Sequence, residues 1–189
     1  MKIGTRTILF GVHQFLWHPF TVWRAWRWLY GSNPTWWQFI AMFLHDVGYC
    51  GLPDLDGAMG KTHPRGGAVL SSMIVSCIAR LFKLGPSYEI SAYWFSLLHS
   101  RDLAHATDQE PSRLCWADKA CILFDPPWFY LLRARLAGEL PEFKHHAEPM
   151  IGKVADEIWL NWYRGRVRSL LLGMALRDEA RADLESGRR

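Results

Sequence analysis

Cysteine is scarce and unpaired in this chain of 189 residues. Cys50, Cys77, Cys115 and Cys121 form no C-x-x-C pair, which excludes a disulfide framework and a thiolate zinc site and points to a reducing, cytoplasmic setting. Acidic residues are missing before Asp46, whereas Lys2, Arg6, Arg24 and Arg27 precede it. The overall balance of 22 Lys plus Arg against 18 Asp plus Glu gives +4, which mildly favours anionic ligands. Those cations are interleaved with Trp and Leu or balanced by nearby acids, so a nucleic-acid polymer is not an expected partner. No uninterrupted apolar run is long enough for a spanning helix. The segment 7–17 follows two cations as a signal sequence does, yet it contains His13 and Gln14 and lacks a small-residue cleavage site, so it reads as mature protein. Period-two alternation is also missing, and strands are not expected.

What is present is an apolar periodicity of three and four, punctuated by proline and glycine, in a chain that is 50% hydrophobic. That predicts an all-α fold, a compact helical bundle in a single domain over 1–189. The expected helices run from about Thr5 to Trp17, from Pro19 to a stop at Gly31, and from Pro34 to near Gly48. Later ones run from Pro64 to Leu84, Pro86 to His99, Pro111 to Phe124 and Pro127 to Ala137, with a last long one from Pro149 into the 180s. The stretch YCGLPDLDGAMGKTH must be a loop. Eleven tryptophans are read as core packing or subunit contact, with a homo-oligomer as one use, in preference to a membrane-interface role.

The informative feature is where His and Asp fall. His45 and Asp46 are adjacent at a helix C-terminus, and His18, His63 and His99 lie at other helix boundaries. Asp118 shares a helix face with Leu114, Cys115, Cys121 and Ile122, where a carboxylate is costly unless paired or bound to a cation. Four imidazoles and two carboxylates suit Fe, Mn, Co, Ni or Zn. Six ligands exceed what one catalytic ion needs, so two divalent transition-metal ions are the economical expectation. His13, His105, His145 and His146 are left outside the site, although His13 could replace His18.

The order His18, His45-Asp46, His63, His99, Asp118 resembles the HD superfamily of metal-dependent phosphohydrolases, in the subset with a dinuclear centre. FLHDVGY, HPRGGAVL, LLHS and LCWADKACILFDP carry the resemblance over residues 15–126, leaving 127–189 as a C-terminal helical extension. The spacing is similar to that of bacterial HD proteins that cleave diadenosine tetraphosphate. The resemblance implies that His18, His45, Asp46 and Asp118 hold one ion and that Asp46 bridges to a second completed by His63 and His99. Asp46, His63 and His99 would then be catalytic as well as ligating, with a metal-bound hydroxide as nucleophile. One departure is that Tyr49, Cys50, Gly51 and Leu52 follow the dipeptide where many HD enzymes carry a lysine or glutamate helper; the next carboxylates are Asp54 and Asp56.

Candidate substrate-binding cations are Lys61, Arg65, Arg101 and Lys119, whereas helical phase makes Arg24 and Arg27 surface cations. Trp17, Phe20 or Tyr49 could stack a base. The expected substrate is a small-molecule nucleotide, a nucleoside polyphosphate or deoxynucleotide, cleaved at a phosphate ester or anhydride. The alternatives are a phosphodiesterase acting on a cyclic or linear dinucleotide and a di-iron oxygenase of HD fold. The loop 49–62 is expected to gate the site.

Overall fold

The computed structural model describes residues 1–85, 87–145 and 147–185. Among these the chain forms ten α-helices and no strand: α1 (Ile3–Phe10), α2 (Trp17–Tyr30), α3 (Trp36–Leu44), α4 (His63–Leu81), α5 (Ser87–Leu97), α6 (Arg101–Ala106), α7 (Arg113–Ala120), α8 (Pro127–Ala137), α9 (Leu140–His145) and α10 (Asp156–Glu185). The all-α expectation holds. Pro86 and His146, both named in the sequence reading, lie outside the described residues, as do 186–189.

Local chemistry explains two of the boundaries around α2 and α3. Gly31 ends α2 in the left-handed region at φ 63°, where a side chain would be strained, and its N–H returns to the Arg27 carbonyl. Before α3, the Gln38 side chain accepts the Thr35 N–H at 2.9 Å, so the helix begins two residues after Pro34.

The first helix corrects the sequence reading, because it stops at Phe10 and not at Trp17. The backbone turns extended at Gly11, and the buried Glu139 carboxylate accepts the Val12 N–H at 3.0 Å. Arg133 donates to the carbonyls of Gly11 and Val12 at 3.0 and 3.1 Å. Two long-range side chains, Glu139 and Arg133, therefore satisfy backbone groups that a continuous helix would have satisfied by itself. Helices α6 and α9 were not anticipated; each is six residues long, too short for periodicity to show.

Two apolar clusters form the interior. One gathers Val22, Trp26, Ala41, Met42, Phe95, Leu114 and Ala117. The other includes Ala25, Ala120, Ile122, Leu131, Trp159 and Leu160. α2 and α7 contribute to both, so they run between the clusters, and His18 and Asp118 sit on them. The second cluster draws on α8 and α10, which makes the C-terminal extension part of the interior. Trp26 and Trp159 are core, as expected, but Trp28 and Trp128 are 59% and 70% exposed.

Candidate metal centre

Close backbone contact brings the histidine-bearing helix ends together. Gly67 on α4 lies against the His45 carbonyl, and Gly48 lies against the His63 carbonyl, so closely that a Cβ at either position would collide with backbone. The glycines of HDVG and HPRGG thus let the end of α3 meet the start of α4 without a side-chain spacer. α2 brings His18 to the same place in its first turn, α7 brings Asp118, and His99 follows α5.

The six expected residues converge as two groups that share one carboxylate. In the first, His18 Nε2 stands 3.0 Å from Asp46 Oδ2 and 3.1 Å from Asp118 Oδ1. His45 Nε2 is 3.2 Å from Asp46 Oδ2 and 3.6 Å from Asp118 Oδ1, and the two imidazole nitrogens are 3.4 Å apart. In the second, His63 Nε2 and His99 Nε2 are 3.1 Å apart and face the other oxygen of the same carboxylate, Asp46 Oδ1, at 3.5 and 3.7 Å.

These separations fit metal ligation. Ligand bonds of about 2.1 Å place neighbouring donor atoms about 3.0 Å apart in an octahedron and about 3.4 Å apart in a tetrahedron. Moreover, Asp46 Oδ2 is buried and receives no hydrogen bond despite two imidazole nitrogens nearby. A buried carboxylate oxygen placed this way is neutralised either by protons on the two facing imidazoles or by a metal ion that displaces them.

The outer nitrogens settle the tautomers. Nδ1 of His45 donates to the Met42 carbonyl at 2.8 Å, Nδ1 of His63 to Gly60 at 2.7 Å and Nδ1 of His99 to Ser96 at 2.5 Å. Each carbonyl lies three residues earlier and keeps a proton on Nδ1, which leaves Nε2 of the neutral His63 and His99 rings with its lone pair facing inward and makes Nε2 the ligating atom of His45 once its second proton is lost. His18 differs: its Nδ1 faces the Cys121 thiol at 3.7 Å.

Burial and charge divide the imidazoles into two kinds. Burial pushes His63 down to about 4 and His99 to about 3, so both stay neutral at pH 7. Burial acts in the same direction on His45, but Asp46 and Asp118 outweigh it and raise the ring to about 9. For His18 burial is outweighed by Cys121, Asp118 and Asp46, and its pKa is also raised. Burial opposes ionisation of both carboxylates, yet the facing histidines hold Asp46 and Asp118 well below the ordinary range. A divalent ion in the first group would therefore displace protons, whereas the second group already presents free lone pairs.

The centre lines a cavity of about 480 Å³. Of the expected cations, Lys61, Arg101 and Lys119 line it; Arg65 is exposed on α4 and is not part of the lining. Lys61 pairs with Asp102 at 3.6 Å, with both groups exposed. Tyr49 lines the cavity and stacks on His63 with ring centres 3.7 Å apart, so its near face is taken. Trp17 and Phe20 line a different groove, and the Trp17 indole donates to Asp125 at 3.1 Å.

His13 enters the cavity wall but neither ligand group, because its Nδ1 is engaged by Thr7 Oγ1 at 2.8 Å; burial lowers it to about 4. His105 and His145 belong to neither group and do not line the cavity. Arg24 and Arg27 are exposed, with guanidinium groups over Phe124 and Trp23 at 5.5 and 5.3 Å, in keeping with surface cations.

Sequence reasoning missed the wall supplied by the extension: Phe143, Trp159, Trp162, Tyr163 and Arg166. Only the i, i+3, i+4 and i+7 spacing of the last four hinted that one face of α10 turns inward. The loop 49–62 also departs from the expected gate. Glu142 accepts the N–H groups of Leu55 and Asp56 at 2.7 and 2.8 Å, Thr5 accepts that of Gly51 at 2.9 Å, and Leu55 is buried. The loop is a tied wall, and its Asp56 lines the cavity.

No protein-family model, curated protein or solved structure matches this chain.

Proposed function

We propose that this chain is a metal-dependent phosphohydrolase of the HD superfamily, holding two divalent transition-metal ions and cleaving a phosphate ester or anhydride of a small nucleotide. The observation that carries the reading is the single carboxylate of Asp46, whose two oxygens each face a different group of imidazoles. Bound there, the ions would supply a water acidified to near neutrality and positive charge beside phosphorus.

The protein's own groups provide the rest. His18, His45, Asp46 and Asp118 hold one ion, and Asp46, His63 and His99 hold the other. The backbone carbonyls behind three of the rings hold a proton on Nδ1 and so direct Nε2 inward, already unprotonated in His63 and His99. Lys61, Arg101 and Lys119 bring positive charge to the cavity for nonbridging phosphate oxygens, and this favours phosphoryl chemistry over the oxygenase alternative. Buried Tyr49 closes the side of His63 to water.

The deciding experiment is release of phosphate and nucleoside from a panel of ribo- and deoxynucleoside mono-, di- and triphosphates, dinucleoside polyphosphates and cyclic dinucleotides. The protein used should have its metals counted by elemental analysis. Selective cleavage abolished by a chelator is the expected result. Two bound irons with oxygen consumption and no phosphorus cleavage would replace the hydrolase with the oxygenase, and protein that binds no metal would overturn both.

A further inference from the structure

We infer that the face formed by α1, α2 and α8 docks on a membrane surface rich in anionic lipid, lying among the headgroups without crossing the bilayer. This goes beyond the hydrolase reading and does not depend on it.

The face is apolar to an extent that the interior does not explain. Leu9, Phe10, Leu16, Phe20, Leu132 and Leu136 line an open groove between the three helices, with Leu16 and Leu136 64% and 62% exposed. Phe20 is also the edge of a neighbouring cleft formed with Trp23, Arg24, Arg27 and Trp28, so groove and cleft make one continuous surface. Trp128 extends it from the first turn of α8, its ring 5.3 Å from Phe129 in the groove.

Charge identifies the occupant. There is no Asp or Glu anywhere in residues 1–45 or in 126–138, the segments that build this face. The nearest intervening acid, Asp125, is buried and consumed by Arg133 and the Trp17 indole. Arg24 and Arg27 are exposed in the lining of the cleft, and no exposed carboxylate in these segments opposes them.

A second copy meeting this face across a two-fold axis would present the same acid-free patch from both sides and so offer the arginines no carboxylate. An anionic bilayer satisfies both halves of the pattern. Phosphate groups accept Arg24 and Arg27, Trp28 and Trp128 suit the interfacial depth where aromatic rings settle, and the leucines and phenylalanines reach the acyl boundary. Among the described residues no helix is long and apolar enough to cross a membrane, so surface docking is the mode.

The test is co-sedimentation of the purified full chain with vesicles of phosphatidylcholine alone and of phosphatidylcholine mixed with phosphatidylglycerol. Binding should be confined to the mixed vesicles, weaken as salt is raised, and fall at least about tenfold in Arg24→Glu/Arg27→Glu. The independent pair Leu16→Ser/Leu136→Ser should weaken it as well, with helical content by circular dichroism and metal content unchanged in both variants. Failure to bind the mixed vesicles, or equal binding to both kinds, would overturn the inference. So would a dimer in light scattering that the leucine substitutions disperse, since that assigns the face to a second copy.

Discussion

Asp46 is the residue that the two candidate ligand groups share, each of its oxygens facing a different one. Asp46→Asn, which keeps the shape but halves the ligating capacity and removes the charge, should lower bound metal and hydrolysis together, the first read by elemental analysis. His13→Ala should leave metal content intact, because that ring's Nδ1 is engaged by Thr7 and it belongs to neither group. Equal metal loss in His13→Ala and His18→Ala would show that the ligand histidine had been misassigned.

Away from the centre, burial raises Glu139 to about 7 against the pull of Thr7, the Val12 N–H and Arg133. An acid whose folded pKa exceeds its unfolded one favours the folded state at low pH, and that advantage disappears as pH rises through the folded value. Between pH 4.5 and 7 the native chain should therefore lose stability relative to Glu139→Gln, on the order of 3 kcal/mol in urea titrations run in parallel. A pH-independent difference between the two proteins would show that Glu139 stays ionised.

The elements are positioned by close approach at a few glycines. Gly67→Ala would drive a methyl group into the His45 carbonyl, and the clash falls on backbone that cannot rotate away. A loss of roughly 1–3 kcal/mol is expected, with reduced metal content because α3 and α4 carry ligands of both groups. Gly165 on α10 has open space around its Cβ direction, so Gly165→Ala should instead stabilise by about 0.5–1 kcal/mol. Opposite signs for two Gly→Ala changes in helices would separate close packing from helix propensity in one denaturation experiment. The short helices α6 and α9 illustrate the limit of periodicity, since six residues give fewer than two turns of pattern.

For the whole molecule, the candidate centre gathers residues from five helical elements that apolar packing joins only in part, His99 coming from just beyond α5. His18 comes from α2, His45 and Asp46 from the end of α3, His63 from α4 and Asp118 from α7. Metal bound to this arrangement and not to the unfolded chain adds stability, about 2.7 kcal/mol when free metal is a hundredfold above its Kd. Chelation should lower the unfolding midpoint accordingly, and restoring metal should recover it. An unchanged midpoint would mean that apolar packing alone fixes the ligand geometry.

The sequence by itself determined the class of fold and singled out the six residues that the structure gathers into two candidate ligand groups. Apolar spacing of three and four dictates helices, and a carboxylate on the apolar face around Asp118 demands a partner. What only the tertiary structure decided is which oxygen faces which group, that Lys61, Arg101 and Lys119 reach the cavity while Arg65 does not, and that α10 supplies its aromatic wall. It also decided that α1 ends at Gly11, because the Glu139 and Arg133 side chains that take over the backbone there lie more than a hundred residues away in sequence. Such pairings depend on how helices cross, and local spacing along one chain carries no information about a crossing.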